Sequence, residues 1–270
     1  MSHADELADG NRFGFGANWQ KYLNEIDEQA VNQAMQHLTD QLDVDDLKGK
    51  KFIDLGSGSG LFSLAAYKLG ANVYSLDYDP QSVDATRSLK NKSFVGDERQ
   101  WVVEEGSALD KNYLLSLGKF DVVYSWGVLH HTGSMWQAIS NASNMVTPNG
   151  FLFISIYNDQ GYISKYWLSI KKLYNNNLLL KIFVIILHSP YLYALRRLAR
   201  LVRRVPLERG MSLWYDMFDW LGGLPFEVAK PEQIFDFLHD RGFQLEKLTT
   251  VRNRSGCNEF VMKKVNFASH

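Results

Sequence analysis

Three glycines at alternate positions, Gly56, Gly58 and Gly60, follow the apolar run Phe52-Ile53-Asp54-Leu55 and precede Leu61-Phe62-Ser63-Leu64. A strand, a glycine turn and a helix start in that order let backbone approach a ligand with no Cβ atoms in the way. Asp77 ends the next apolar run, Val73-Tyr74-Ser75-Leu76, and lies 21 positions beyond Gly56. A carboxylate at that distance is placed to accept hydrogen bonds from ribose hydroxyls. The sixth position of the turn is Leu61, where a dinucleotide site needs a third glycine for close helix packing, which argues against NAD. No Gly-Lys-Ser or Gly-Lys-Thr follows, which excludes a P-loop.

A second group of candidates could act on an acceptor. His130 and His131 follow the apolar run Phe120-Asp-Val-Val-Tyr-Ser125, and histidine titrates near working pH, so either could take a hydroxyl proton. Adjacent residues point apart, so one of the two is expected to face the acceptor and the other to pack or cap. Two neighbouring histidines are poorly spaced for a metal and no carboxylate–histidine cluster completes a site, so no metal is expected. Tyr157 and Asn158 end a further apolar run, although Asn158 and Asp159 would serve equally as turn formers. The stretch 210–227 mixes aromatics with Asp216, Asp219 and Glu227, a composition suited either to gripping a polar, ring-bearing acceptor or to core packing.

These residues need elements to hold them. Between Lys51 and about Tyr157, short apolar strands at 51–55, 73–77, 101–104, 120–125 and 151–156 alternate with helical segments. That alternation predicts a doubly wound, mostly parallel α/β sheet, in which ligands sit beyond the carboxyl ends of the strands at the switch in strand order. Gly56–Gly60, Asp77, Ser107-Ala108 and 125–131 then surround one crevice. Helical spacing of Ile26, Ala30, Val31, Ala34 and Leu38 predicts a helix over 24–42, preceded by an aromatic and glycine-rich stretch, 12–22, that either packs on the body or covers the crevice. A helix at 231–241 and apolar runs at 243–251 and 258–265 look like a closing helix and two antiparallel strands. The chain divides accordingly into an aromatic flap and helix (1–47), a cofactor-binding core (48–157), a helical insert (158–226) and a C-terminal completion of the sheet (227–270).

The insert departs in composition. Leu178–Leu187 is apolar apart from Lys181, yet too short to span a bilayer. Beyond Pro190, Arg196, Arg197, Arg200, Arg203 and Arg204 share one helical face, which reads either as a solvated face or as contact with anionic lipid or a phosphate-bearing acceptor. The 270 residues are 46% hydrophobic with a net charge of -1, enough for a full core and without a global attraction to nucleic acid. A single cysteine, Cys257, excludes an intramolecular disulfide, and no leader is visible in the polar N-terminus, so a cytoplasmic protein with peripheral membrane contact through those arginines is expected.

Asp54-Leu-Gly-Ser-Gly-Ser-Gly60, Asp77, Gly106-Ser-Ala108 and Phe120–His131 together closely resemble class I S-adenosylmethionine-dependent methyltransferases. Within them, the segment 120–157 and the placement of the insert are most similar to the ubiquinone-pathway O-methyltransferase branch. The resemblance covers about 48–157. It implies a seven-stranded Rossmann-like sheet with a reversed last hairpin and a helical insert after the fifth strand, and S-adenosyl-L-methionine as cofactor. It also implies roles by position. Gly56, Ser57, Gly58 and Gly60 would pass under the methionine part, Asp77 would hold both ribose hydroxyls, and Tyr78 would flank the adenine. Ser107, where many relatives carry Asp, and Ala108 would lie near the adenine amino group. Trp126 would wall the methionine end, and Asp54 would position the turn or the cofactor's amino group. The implied acceptor is a small molecule, glycan or lipid-linked molecule methylated on oxygen. A tRNA or protein methyltransferase, or an inactive scaffold of the same fold, is the alternative.

Overall fold

The computed structural model describes residues 3–10, 12–23, 26–93, 100–195 and 213–265, with backbone alone at 194, 195 and 213–216. Arg196, Arg197, Arg200, Arg203 and Arg204 lie outside the described residues, as does the side chain of Asp216.

Five parallel strands form the body: β1 (Lys51–Leu55), β2 (Asn72–Asp77), β3 (Trp101–Glu105), β4 (Phe120–Trp126) and β5 (Val146–Tyr157). The helical C-terminal segment then leads into β6 (Phe243–Thr249) and β7 (Cys257–Lys264), and β7 enters antiparallel between β5 and β6. The sheet order is β3-β2-β1-β4-β5-β7-β6, so strand order switches between β1 and β4. The loops at the carboxyl ends of those two strands carry the glycine turn and the histidines, which puts both beside the switch point.

Strand side chains alternate between faces and are buried on both, as the apolar runs require. Phe52, Val73 and Tyr124 pack into one layer with α3 (Glu28–Leu42) and α4 (Leu61–Lys68). Ile53, Leu55, Leu76 and Ile154 pack into the other with α7 (Met135–Asn144) and α11 (Pro231–His239). The remaining core helices are α5 (Pro80–Ser93) and α6 (Lys111–Ser116), preceded in the chain by the short α1 (His3–Ala8) and α2 (Gly16–Tyr22). Between β5 and α11 stand α8 (Tyr162–Asn176), α9 (Leu178–Ser189), a π-helical turn (Pro190–Leu195) and α10 (Leu213–Gly222). They share a separate core of Trp167, Ile170, Tyr174, Val184, Met217 and Leu221, to which Phe13 is added from the N-terminal segment.

Several boundaries differ from the sequence reading, among them that of β6, which ends at Thr249, short of 251. Helix α3 begins at Glu28, not 24, because the Asp27 carboxylate accepts the Ala30 amide and caps it there. Strand β5 begins at Val146, ahead of 151, because Pro148-Asn149-Gly150 is a bulge within the strand and not a turn before it; Asn149 has φ +62° and the register against β4 shifts there. Helix α11 ends at His239, short of 241.

Candidate active site

The loop after β1 runs under a cavity of about 1580 Å³. Gly56 (φ +86°) and Gly58 (φ +56°) occupy left-handed backbone that a side chain would strain. The room left by their missing Cβ atoms is taken by the protein itself. A Cβ on Gly56 would stand 2.4 Å from Val128, and one on Gly58 would stand 3.0 Å from the Trp19 ring. The glycines are therefore required by packing, beyond any approach of a ligand. Gly60 meets Thr86 and does not line the cavity.

Asp54, Gly56, Ser57, Gly58, Asp77, Tyr78, Ser107, Ala108 and Trp126 do line it, so nearly all the cofactor residues expected from the sequence converge on one space. The Asp77 carboxylate accepts the Gly58 amide through Oδ2 and the Asp79 amide through Oδ1, each at 2.9 Å. These bonds tie the end of β2 to the glycine turn and leave acceptor capacity on a carboxylate that offers about four lone-pair positions. Burial outweighs them and pushes Asp77 up to about 6. Asp54 sits at the end of a buried hydrogen-bonded chain. Trp101 Nε1 donates to Ser75 Oγ, Ser75 to Ser63, and Ser63 to Asp54 Oδ2, at 2.8, 2.7 and 2.7 Å. Burial, reinforced by the nearby Asp77 charge, lifts Asp54 to about 7. Ser107 Oγ accepts the Leu109 amide at 3.1 Å, which orients its hydroxyl at the rim. Trp126 Nε1 donates to Glu259 at 2.7 Å, which fixes the indole as a wall. Tyr78 has the Arg12 guanidinium 4.8 Å from its ring centroid.

The two histidines separate, as adjacent residues should. They lie in a 3₁₀ turn, Leu129–His131, just past β4. His131 lines the cavity, with Phe15 4.9 Å from it between ring centroids. Its Nδ1 is 2.6 Å from the Pro225 carbonyl oxygen. A carbonyl only accepts, so Nδ1 carries the proton and a neutral ring leaves Nε2 with a lone pair. Burial, and secondarily the Lys171 charge, push His131 down to about 3 and keep it neutral. His130 is fully buried, does not line the cavity, and lies 3.9 Å from the Tyr157 ring between centroids. Of the expected pair, His130 is corrected to a core residue.

The acceptor candidates divide similarly. Tyr157 and Asp219 line the cavity, and Asp219 accepts a 2.6 Å hydrogen bond from Asn18. Asn158 and Glu227 do not line it. The Asn158 amide bridges the Arg252 carbonyl and Asn258, while both Glu227 oxygens accept the Met135 amide at the start of α7, at 3.0 and 3.1 Å. Both are spent on fastening loops.

Sequence reasoning passed over Lys171 and the N-terminal links. Lys171 is buried on α8, its ammonium donating to the Trp220 carbonyl and standing 4.8 Å from the Phe226 ring centroid. Burial pushes it down to about 7, against the pull of Asp219. Its place with Trp167 and Tyr174 at helical spacing was the available signal, a lysine on an apolar face. Phe13, Phe15 and Trp19 both pack on the body and line the cavity. Arg12, paired with Glu6, donates to the His131 carbonyl at 3.1 Å.

A family profile described as a methyltransferase domain matches residues 26–219. A ubiquinone biosynthesis O-methyltransferase from Colwellia psychrerythraea is 30% identical over 154 residues, 56% of this chain and 60% of that protein. A ribosomal protein L11 methyltransferase from Tolumonas auensis is 35% identical over 115 residues, 42% of this chain and 36% of that protein. The chain thus spans only part of the length of these curated relatives. A chain of the complex that contains the Haloferax volcanii Trm112 methyltransferase activator and a methyltransferase has a TM-score of 0.55 at 11% identity, with 96% of this chain and 100% of that chain covered, a likeness of fold. With the profile matching most of its length, and with a seven-stranded sheet ending in a reversed hairpin, the chain belongs to the methyltransferase domain family and has the class I S-adenosylmethionine-dependent architecture.

Proposed function

We propose that the protein transfers a methyl group from S-adenosylmethionine to an oxygen of its acceptor. The observation that carries this reading is the convergence of the glycine turn, Asp77 and a neutral His131 on one cavity. Its volume, about 1580 Å³, exceeds the roughly 300–1,000 Å³ of single-ligand pockets, which leaves room for a donor and an acceptor together.

When bound, the cofactor supplies an electrophilic methyl group on a sulfonium centre. Asp77 would accept the ribose hydroxyls with charge-strengthened hydrogen bonds. Asp54 would support the turn or hold the amino group, Tyr78, Ser107 and Ala108 would border the adenine, and Trp126 would wall the methionine end. Neutral His131, its tautomer fixed by the Pro225 carbonyl, offers Nε2 as hydrogen-bond acceptor to the acceptor's hydroxyl and orients its oxygen. Tyr157 and Asp219 position the acceptor. Alignment of the reacting groups supplies the larger part of the rate, since effective molarities reach roughly 10⁵–10⁸ M whereas a general base adds about 10²–10⁴-fold. The curated likenesses include both acceptor classes, an O-methyltransferase at 30% identity over 56% of the chain and an L11 methyltransferase at 35% over 42%, so the oxygen reading rests on the acceptor side of the cavity, His131, Tyr157 and Asp219.

The test is transfer of labelled methyl from S-adenosylmethionine to a panel of phenolic, glycan, lipid-linked, tRNA and protein acceptors. The His131→Ala variant should lower turnover of the preferred acceptor by about 2–10-fold with unchanged donor affinity, the scale of one orienting hydrogen bond. Turnover restricted to protein or tRNA would overturn the oxygen acceptor, and undiminished turnover in the variant would remove His131 from the acceptor site.

A further inference from the structure

Helix α9 carries an apolar stripe that no part of the described protein covers. Leu178, Leu179, Ile182, Phe183, Ile186 and Leu187 recur at alternating steps of one and three, so they share one helix face. All six are exposed, Leu179 at 80% and Phe183 at 58%, whereas Val184 and His188 on the opposite face are buried against α8 and α10. Six large aliphatic and aromatic side chains in one stripe exceed what scattered surface hydrophobics account for. Exposed tyrosines also stand on α8 at 162 and 166 and in the turn after α9 at 191, the amphipathic ring type that settles at a lipid–water boundary.

Three candidates could cover this face: a second copy of the chain, an apolar groove of another protein, or a bilayer surface. Charge separates them. From Gln160 to Leu207 the sequence contains no acidic residue and carries four lysines and five arginines. Of the lysines, Lys165, Lys172 and Lys181 are exposed on α8 and α9. Pairing two such faces in a homodimer would set like charges against each other, whereas an anionic surface complements them. At 12 residues α9 is too short to cross a membrane, and among the described residues no helix is long and apolar enough to do so. A short helix with an apolar face, flanking tyrosines and basic surroundings lies in the interface plane.

The cavity reaches the same helical segment: Ile163 and Tyr166 on α8 and Tyr191 in the turn after α9 line it and are also exposed, while the stripe residues themselves do not line it. We propose that the exposed apolar face of α9 docks on anionic lipid bilayers. The further consequence, that the acceptor is a membrane-borne molecule reached from that surface, rests on the methyl-transfer reading; the docking does not.

Flotation of the full chain with phosphatidylcholine vesicles, with and without about a quarter phosphatidylglycerol, tests the docking. Binding is expected to the anionic vesicles, to weaken as salt rises from about 0.1 to 0.5 M, and to fall at least about ten-fold in Phe183→Glu/Ile186→Glu. Both positions are exposed and neither lines the cavity, so donor binding by calorimetry should be retained, which separates loss of docking from loss of fold. No flotation of the wild type, or equal flotation of the variant, overturns the proposal. So does sedimentation showing a wild-type dimer that the variant abolishes, with no vesicle binding, since a second copy would then cover the stripe. Docking without methyl transfer would leave the bilayer surface standing and remove only the membrane-borne acceptor.

Discussion

Two carboxylates, the buried Asp54 and the half-buried Asp77, meet the donor side of the cavity in states that a cationic ligand must change. Burial holds them up to about 7 and about 6, far above the ordinary 3.8. The sign for the fold follows directly: an acid raised on folding contributes stability that is present at low pH and lost as pH rises towards 7. The sign for ligand binding is opposite. A bound ammonium and ribose favour the ionised forms, so binding releases protons, and affinity falls as pH drops below about 7, by up to about ten-fold per unit for each group. Calorimetry should therefore give a dissociation constant for S-adenosylmethionine at least about ten-fold weaker at about pH 5.5 than at pH 8, with a buffer-dependent enthalpy between. A constant affinity over that range would mean that neither carboxylate takes part. His131 adds no limb there, because at about 3 it stays neutral throughout. The glycine turn and Asp77 were legible in the sequence because the strand, turn and helix start that carry them are contiguous or one strand apart, whereas Val128 and Trp19, which fill the space of the missing Cβ atoms, lie far away in the chain. Which of two adjacent histidines faces the cavity was not, because the 3₁₀ turn and the carbonyl of Pro225, 94 residues away, decide it.

At the level of elements, the parallel strands and α11 were readable from apolar runs and their punctuation, whereas the bulge at Pro148-Asn149-Gly150 imitated a turn. Asn158 and Glu227 carried the right chemistry for an acceptor site but are held elsewhere by partners 94 and 92 residues away. Their neighbourhood in sequence contains no trace of those partners. Glu227 serves the N-terminus of α7, where a carboxylate on the first amides also meets the positive end of the helix dipole. Glu227→Ala should lower stability to urea by about 1 kcal/mol, as loss of a helix N-terminal acceptor does, and leave donor affinity unchanged. A loss of donor affinity or of acceptor turnover without a stability change would return Glu227 to the site.

Across the molecule, the cavity is enclosed by stretches far apart in the chain. Asn18 donates to Asp219, 201 residues on, Arg12 to the carbonyl of His131, 119 residues on, and the Phe13 amide to the carbonyl of Leu224. The N-terminal segment thus joins the helices after β5 to the sheet and roofs the glycine turn with Trp19. Such closure is a property of the tertiary fold, which is why the sequence pointed first to packing for 12–22, with cover as the alternative, while in the structure Phe13, Phe15 and Trp19 both pack on the body and line the cavity. The donor end of this enclosure depends most on Asp77, whose carboxylate locks Gly58 and retains acceptor capacity towards the cavity. The most direct test is calorimetric titration of S-adenosylmethionine into the wild-type chain and Asp77→Ala, with unfolding curves for both. The wild type should bind and the variant should bind about 10²–10³-fold more weakly while remaining folded, the scale expected for losing two hydrogen bonds to a charged group. Equal affinity in the two folded proteins, or no binding by the wild type, would contradict the assignment of this cavity to the methyl donor.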